Sequence, residues 1–283
     1  MQNTASLWVL LCEELEARRA KESAEDHSDA ARKFEDAAKQ VFQKHPARLR
    51  DALEIAGDIH QASGAPDAAR RCFKEALEFE TPPAAPRARL ATKLAMLCES
   101  QGDPDARGYY VMAIEAHDHG LDRTEVPTLL NNLGGLHRLY GDLPAAEQTY
   151  NRALSEAVAV HGPHHPEVAL IANNLGVAFT DSGNLPKAEE AHMRALQIRE
   201  VIFGANHPDV GQSLANLAVV YHARGLNEKA ERFYRGAMDT LSHFYPPDDP
   251  QLQRIRANHD RLPQVRARNL AKTMKLNVDG PRD

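Results

Sequence analysis

Asn132-Leu133-Gly134 recurs 42 residues later as Asn174-Leu175-Gly176, and after a further 42 residues as Asn216-Leu217-Ala218. The same step separates other small residues, namely Gly141, Gly183 and Gly225, then Ala146, Ala188 and Ala230, and then Ala153, Ala195 and Ala237. A fixed period of roughly 20–50 residues is the signature of a solenoid or another repeat array. The repeat therefore predicts an elongated stack of similar units.

Each period of the sequence predicts two helices. Residues 128–140 carry a helical stripe of leucines, namely Leu129, Leu130, Leu133, Leu136 and Leu139. Gly141-Asp142 predicts the end of that helix, because Gly adopts the left-handed conformation at little cost. Leu143-Pro144 predicts the start of the next helix, since Pro is tolerated in a first turn. Small residues such as Gly134 and Ala146 allow the two helices to approach closely.

The pattern continues upstream with less regular spacing. Ala69, Phe73, Ala76 and Leu77 follow Gly64 at the offsets with which Ala146, Tyr150, Ala153 and Leu154 follow Gly141. We expect an all-α superhelix, a single solenoid over residues 1–283 with about six helix pairs and a C-terminal capping helix. The expected ranges are a degenerate repeat at 5–44, further repeats at 46–80, 84–118, 126–161, 168–203 and 210–245, and a basic helical cap at 250–276.

Composition favours a folded protein without membrane segments. The chain of 283 residues has 42% apolar and 26% charged residues, a net charge of -6 and only 6% aromatic residues. Its best apolar run, residues 7–12, is far shorter than the roughly 20 residues of a spanning helix. No basic residue precedes this run, as a signal peptide would require. These features predict a cytoplasmic location.

No pattern of reactive side chains predicts an enzyme or a cofactor. His161, His164 and His165 cluster, but His165 and His207 share one repeat position before a proline, which favours a structural role in a loop. The three cysteines are far apart and odd in number, which favours buried free thiols. We therefore expect no catalytic residue, no metal site and no cofactor.

Each period resembles the tetratricopeptide repeat in the order of its marker residues, which are Leu-Gly, an inward ring or His, Gly-Asp, Ala, Tyr and Ala-Leu. The array is similar to that of kinesin light chains in three features. These are the 42-residue spacing, the linker His165-Pro166-Glu167-Val168 and the doublet Asn173-Asn174. Residues 126–245 carry this likeness strongly, and residues 46–118 resemble ordinary repeats. The long heptad coiled coil of motor light chains is missing, so the size and organisation resemble the bacterial kinesin light chains that accompany bacterial tubulins.

In such an array the first helix of each repeat lines a concave face that suits an extended peptide or a protein loop. An Asn amide both donates and accepts, so a row of asparagines can pair with a peptide backbone of any sequence. The alternative is that these amides cap or bridge neighbouring helices within the array. The expected contacts on this face are Asn131, Asn132, Arg138, Asn173, Asn174, Val177, Asn216 and His222.

Charge is distributed unevenly along the chain. Residues 250–276 contain seven basic residues and one acid, Asp260. Arg266, Arg268 and Lys272 are the expected contacts there, because a basic end on an acidic array favours an acidic partner. The alternative is a solvated helix that only caps the last repeat. Nucleic acid is disfavoured, since no aromatic residues interleave with the basic ones.

Two functions remain open at this point. One is a non-enzymatic scaffold that holds a protein partner through the groove and the basic end, with a tubulin-like filament as the partner that the resemblance implies. The other is a soluble peptide-binding adaptor, signalling regulator or chaperone that uses the same groove. In both cases the expected partner is a protein or an extended peptide, and neither a membrane nor a nucleic acid.

Overall fold

The computed structural model describes residues 24–79 and 84–262. Within these ranges the chain forms twelve helices and no strand, which confirms the predicted all-α class. The described residues divide between Glu125 and Val126 into two compact units. No helix in these ranges has both the length and the apolar content needed to cross a bilayer.

The first unit contains five helices: α1 (Ala24–Val41), α2 (Pro46–Ala62), α3 (Pro66–Leu77), α4 (Ala84–Ser100) and α5 (Ala106–Asp118). α2 pairs with α3 and α4 pairs with α5, while α1 packs on α2. The predicted partner of α1, within residues 5–21, lies outside the described residues. One apolar core joins these helices through large buried side chains, among them Phe34, Phe42, Leu53, Phe73 and Leu90.

The second unit contains seven helices: α6 (Val126–Leu139), α7 (Leu143–His161), α8 (Pro166–Asp181), α9 (Leu185–Phe203), α10 (Pro208–Ala223), α11 (Asn227–Ser242) and α12 (Pro250–Asp260). Three pairs form, α6 with α7, α8 with α9 and α10 with α11, and each pair packs on the next. We call α6, α8 and α10 the first helices, and α7, α9 and α11 the second helices.

A glycine ends the first helix of each pair and reverses the chain. Gly141 has φ of 79°, in the left-handed region that favours Gly. Its N–H donates to the carbonyl of Arg138 at 3.0 Å, and the next N–H, of Asp142, donates to the carbonyl of His137 at 2.9 Å. These two bonds form a Schellman motif, which satisfies carbonyls that the helix end would otherwise expose. Gly183 and Gly225 make the equivalent bonds.

The two helices of a pair cross at a residue that has no side chain. A Cβ on Gly134 of α6 would lie 2.9 Å from ring atoms of Tyr150 on α7. A Cβ on Gly176 of α8 would lie 2.7 Å from the ring of His192 on α9. Both rings are buried, so they have little freedom to move aside. The expected need for a small residue at Gly134 is therefore confirmed.

The linkers between pairs use histidine to begin the next helix. His165 precedes Pro166, and its Nδ1 accepts from the N–H of Glu167 at 3.2 Å. His207 repeats this N-cap with the N–H of Asp209, also at 3.2 Å. An N-cap acceptor satisfies an N–H group that has no partner within the helix. This geometry agrees with the structural role expected for these histidines.

α12 closes the apolar core of the last pair. Leu252, Ile255 and Leu262 are buried in the same cluster as Tyr234 and Leu241 of α11. The Asp249 carboxylate caps its start by accepting from the N–H groups of Gln251 and Leu252. The predicted C-terminal cap is confirmed for this helix, and the rest of the predicted cap lies outside the described residues.

We expect Gly134→Ala to lower the free energy of unfolding by about 1–3 kcal/mol, because the added methyl group overpacks against Tyr150. Gly135→Ala is the matched control, since its Cβ would lie 3.6 Å from the Tyr150 hydroxyl, an ordinary contact. The control should be neutral or stabilising by up to about 1 kcal/mol, because Ala favours a helix more than Gly does. Urea unfolding measures both, and equal effects would contradict the proposed close approach.

Candidate protein-binding surface

The first helices of the second unit contact one another directly, α6 with α8 and α8 with α10. In a curved stack, the helices on the inner side lie closest together. The side of α6, α8 and α10 that faces away from the second helices is therefore the candidate binding surface, and we call it the first-helix face. Most of the residues expected to contact a partner lie on these three helices.

Amide side chains bridge the first helices. The Nδ2 of Asn174 on α8 donates to the Oδ1 of Asn131 on α6 at 2.9 Å. One repeat later, the Nδ2 of Asn216 on α10 donates to the Oδ1 of Asn173 on α8 at 2.8 Å. Each bond joins the second Asn position of one repeat to the first Asn position of the repeat before it. The amide groups of successive repeats therefore face each other across neighbouring first helices.

A pair of glutamines continues this row to α12. The Nε2 of Gln212 donates to the Oδ1 of Asn216 at 3.0 Å, and Gln251 of α12 donates to the Oε1 of Gln212. We call the bridges Asn131–Asn174, Asn173–Asn216 and Gln212–Gln251 the amide ladder. Asn258 lies 42 residues after Asn216 and would extend the row of asparagines by the same period. Ala215 occupies the first Asn position of the preceding repeat, however, so that position offers no amide for Asn258 to bond.

Asn173 is the most enclosed of the expected contacts, with 9% of its surface exposed. Its Oδ1 accepts from Asn216 and lies 3.2 Å from the Nδ1 of His192. Burial and the nearby positive charge of Arg199 lower the pKa of His192 to about 4, so this imidazole is neutral at physiological pH. The Nδ1–H tautomer donates to Asn173, and both lone pairs of its Oδ1 are then engaged.

The other expected asparagines are half-buried and remain at the surface. Asn131 accepts from Asn174 through its Oδ1 and donates from its Nδ2 to the Oδ1 of Asn132 at 3.4 Å. Each ladder bond uses one of the two N–H groups that an amide has. Asn131, Asn132 and Asn174 therefore present amide groups on the first-helix face at positions fixed by their mutual bonds.

Charged and apolar residues flank the amides. Arg138 of α6 donates to the Oδ2 of Asp181 of α8 at 3.0 Å, and both side chains are about two-fifths exposed. Thr128 donates to the Glu167 carboxylate at 2.6 Å, which is a third bridge between α6 and α8 and one that the sequence did not indicate. A ligand therefore meets Arg138 as part of an ion pair and not as an isolated cation.

The remaining expected contacts differ in how the structure places them. Val177 and His222 are half-buried on α8 and α10, and the His222 ring lies edge-on to Tyr234 with a centroid distance of 6.4 Å. Arg266, Arg268 and Lys272 lie outside the described residues. Their role in binding stays a prediction.

The histidine cluster has the geometry of a stacked linker. The rings of His161 and His165 stack at 4.3 Å, and His161 lies 2.9 Å from the Glu167 carboxylate. One repeat later, Phe203 stacks on His207 at the same 4.3 Å. Because an apolar ring replaces His161 at the equivalent position, stacking is the property that the repeat maintains there.

The tetratricopeptide repeat family model matches residues 125–200 and 167–242. These overlapping matches span α6 to α11 and thus the three helix pairs of the second unit. This part of the chain therefore consists of tetratricopeptide repeats, arranged in an all-α superhelical fold.

Solved structures with this fold include one with measurable sequence likeness. BtubC (BKLC) from P. vanneervenii is 26% identical, with a TM-score of 0.63 over 81% of this chain and 95% of that chain. A putative kinesin light chain from Podospora anserina with nearly identical repeats is 16% identical, with a TM-score of 0.59 over 71% of this chain and 99% of that chain. YrrB, a repeat protein with an unusual peptide-binding site, is 15% identical, with a TM-score of 0.56 over 78% and 98% of the two chains. No curated protein matches the sequence.

A double-mutant cycle tests whether the ladder amides stabilise the stack. We expect Asn131→Ala and Asn174→Ala each to lower the free energy of unfolding by about 0.5–1.5 kcal/mol, because each removes the bond between α6 and α8. The double variant should lose less than the sum of the two, since the second substitution has no bond left to remove.

Asn151→Ala is the control for this cycle, because Asn151 is exposed on α7 and bonds within its own helix, to the Glu147 carbonyl at 2.8 Å. Chemical denaturation of the four proteins and the control gives the coupling energy. Strict additivity would show that the two amides do not stabilise each other.

Proposed function

We propose that this protein is a non-enzymatic scaffold that binds an extended segment of a protein partner along the first-helix face. Tetratricopeptide folds generally mediate interactions between proteins and are generally non-enzymatic, so the coarse function follows from the repeat class. The amide ladder is the observation that carries the more specific proposal. It places neutral hydrogen-bonding groups in a row that runs along the stack, across the first helices.

A row of amides suits the backbone of an extended peptide. Each peptide unit offers one N–H donor and one C=O acceptor, and a side-chain amide complements both. Asn131 and Asn174 are held by a bond of 2.9 Å, so little conformational entropy is lost when a ligand pairs with them. Recognition of this kind does not require a particular ligand sequence. YrrB, with its peptide-binding site, is a solved protein of the same fold that binds a peptide.

Charge and resemblance favour a filament as the partner. Residues 250–276 carry a net charge of +6, and Arg254, Arg256 and Arg261 lie in or beside α12. The sequence resembles bacterial kinesin light chains, and BtubC (BKLC) is similar over most of both chains. We propose that an acidic tubulin-like filament binds the basic end while one of its segments occupies the first-helix face. No nucleic acid or membrane takes part in this proposal.

A soluble adaptor, signalling regulator or chaperone is the second candidate. It would use the same amides to hold a short peptide, without a contribution from the basic end. Co-sedimentation of the full chain with polymerised bacterial tubulin separates the two candidates. If the chain pellets with the polymer, the result supports a function in filament binding. If the chain stays in the supernatant even at low salt, the result supports the adaptor function.

We expect the double substitution Asn132→Ala with Asn174→Ala to weaken partner binding with little change in its salt dependence, because neutral hydrogen bonds are lost. Each lost bond should cost about 0.5–1.5 kcal/mol of binding free energy. Asn151→Ala on the second helix α7 is the matched control and should bind normally. Titration at several salt concentrations measures the effect, after circular dichroism has established that the variant is folded.

Reversal of Arg266, Arg268 and Lys272 to Glu should slow association with the polymer, and the effect should shrink as salt increases. The Debye length is about 8 Å at physiological ionic strength, so exposed charges act mainly by steering the approach of the partner. Stopped-flow association rates at low and high salt provide the measurement.

The control for charge reversal changes the net charge equally at another place. Arg152, Lys187 and Arg235 are exposed on the second helices, and their reversal to Glu should leave association nearly unchanged. If the amide substitutions abolish binding and the charge reversal has no effect, the partner is a short peptide. If neither set matters, the first-helix face is not the binding surface and the proposal is wrong.

A further inference from the structure

Three side chains with metal-binding chemistry meet in the core of the first unit. Glu35 lies on α1, His60 on α2 and Cys72 on α3. The Cys72 Sγ lies 3.4 Å from the Glu35 Oε2, and the His60 Nε2 lies 3.9 Å from the same oxygen. One donor atom from each of the three residues lies within 4.8 Å of the other two. All three residues are buried, with exposed fractions of 6%, 2% and 0%.

The imidazole of His60 is a polar group that the fold buries and leaves without a hydrogen bond. Neither of its ring nitrogens has a hydrogen-bond partner, although the residue is 2% exposed. A buried polar group without a partner is destabilising, and native proteins rarely keep one without a reason. Burial lowers the pKa of His60, which favours the neutral imidazole whose lone pair a metal ion takes.

The repeat architecture does not require polar groups at these positions. Counted from the helix-ending glycines Gly64 and Gly225, His60 corresponds to Tyr221 and Cys72 to Phe233. The Tyr221 and Phe233 rings contact each other, with centroids 5.0 Å apart, in the core of the last pair. An imidazole and a thiol thus occupy the positions at which the last pair has two aromatic rings.

We propose that Glu35, His60 and Cys72 form a zinc site that joins α1, α2 and α3. Zinc takes sulfur, imidazole nitrogen and carboxylate oxygen at about 2.0–2.3 Å in a tetrahedral arrangement, which separates neighbouring donor atoms by roughly 3.3–3.8 Å. The 3.4 Å between Cys72 and Glu35 already fits this spacing, and the 3.9 Å to His60 requires only a small movement. Three protein ligands leave the fourth position of the ion for a water molecule.

Zinc binding balances charge inside the core. A carboxylate and a thiolate together neutralise the two positive charges of the ion. Zinc binds cysteine as the thiolate, so binding releases the Cys72 thiol proton to solvent. Affinity should therefore increase with pH.

Two cationic side chains, Lys39 and Arg71, lie near this cluster and affect its geometry and its charge. Lys39 donates to the Glu35 Oε1 at 2.8 Å and to the Glu75 carboxylate at 2.7 Å. This leaves the Glu35 Oε2 facing Cys72 and His60, and fixes the orientation of the carboxylate as an outer partner of a metal ligand does. Arg71 is the second nearby charge, and it acts against a cation in the cluster.

The site would fasten α1 to the first complete pair of the array. A metal that binds only the folded state stabilises it in proportion to the logarithm of the free metal concentration. The sequence gives no sign of this cluster, because 25 residues separate Glu35 from His60 and 12 separate His60 from Cys72. It departs from the expectation, stated above, that the protein has no metal site.

The test uses the full-length chain stripped of metal and titrated with zinc, with melting temperature as one readout. Cobalt is the second probe, because a cobalt–thiolate bond gives a charge-transfer band in the near ultraviolet. Cys98→Ala is the matched control, since Cys98 is also a buried free thiol, on α4. Wild type and Cys98→Ala should gain melting temperature with zinc and show the cobalt band.

Cys72→Ala should lose the cobalt band and bind zinc more than about 100-fold more weakly, because loss of a direct ligand exceeds the 10–100-fold effect of losing an outer partner. If this variant fails to fold, His60→Phe replaces it, since Phe179 occupies the same position in a later repeat. A band that survives Cys72→Ala would come from another thiol. That result, or a wild-type protein that binds no zinc, would overturn the proposal.

Discussion

Two antiparallel helices can pack closely only where one of them lacks a bulky side chain at the crossing point. Gly134 provides this gap for the ring of Tyr150, and Gly176 provides it for the ring of His192. The ring fills the gap and fixes the distance within the pair, and the Schellman turn at Gly141 fixes the direction of the return. Because the pairs α6–α7 and α8–α9 share this arrangement, the second of them can stack on the first in a regular way.

This regular stacking places the amides. Regular stacking holds the second Asn position of one repeat next to the first Asn position of the repeat before it, which is why Asn174 meets Asn131 and Asn216 meets Asn173. The contacts between successive first helices are therefore polar and directional as well as apolar. The same bonds that join neighbouring repeats also hold hydrogen-bonding groups ready at the surface.

The sequence alone predicted the parts of this structure that depend on periodicity. The helix pairs, the all-α class and the small residue at Gly134 follow from apolar spacing and from the 42-residue step. The partners of the asparagines did not follow. An Asn at a groove position suits a ligand and a neighbouring helix equally well, and only the positions of two helices decide between them. The bridge Asn131–Asn174 shows that these two amides join neighbouring helices, as the alternative to ligand binding predicts. In the proposed function, a ligand pairs with the amide groups that this bond does not use.

The cluster of Glu35, His60 and Cys72 could not be predicted for a different reason. Its members come from three helices, and none of the spacings between them is a metal-binding motif. The repeat position of His60 gives no signal either, because rings such as Phe179 and Tyr221 occupy that position elsewhere as ordinary core residues. Only the fold shows that the imidazole of His60 is buried without a hydrogen-bond partner.

Stacking also determines what the first-helix face can recognise. Packed helices lie about 8–10 Å apart, and an extended peptide advances about 3.3 Å per residue. Successive ladder amides thus lie within reach of about every third residue of a peptide that runs along the stack. Backbone pairing at this interval tolerates many sequences, so discrimination must come from the side chains between the amides. Arg138 and Asp181 are such side chains, and because they form an ion pair, a charged ligand residue must compete with an existing partner. In the proposed function, the face therefore holds a segment by its backbone and selects it through the charged residues that lie between the amides.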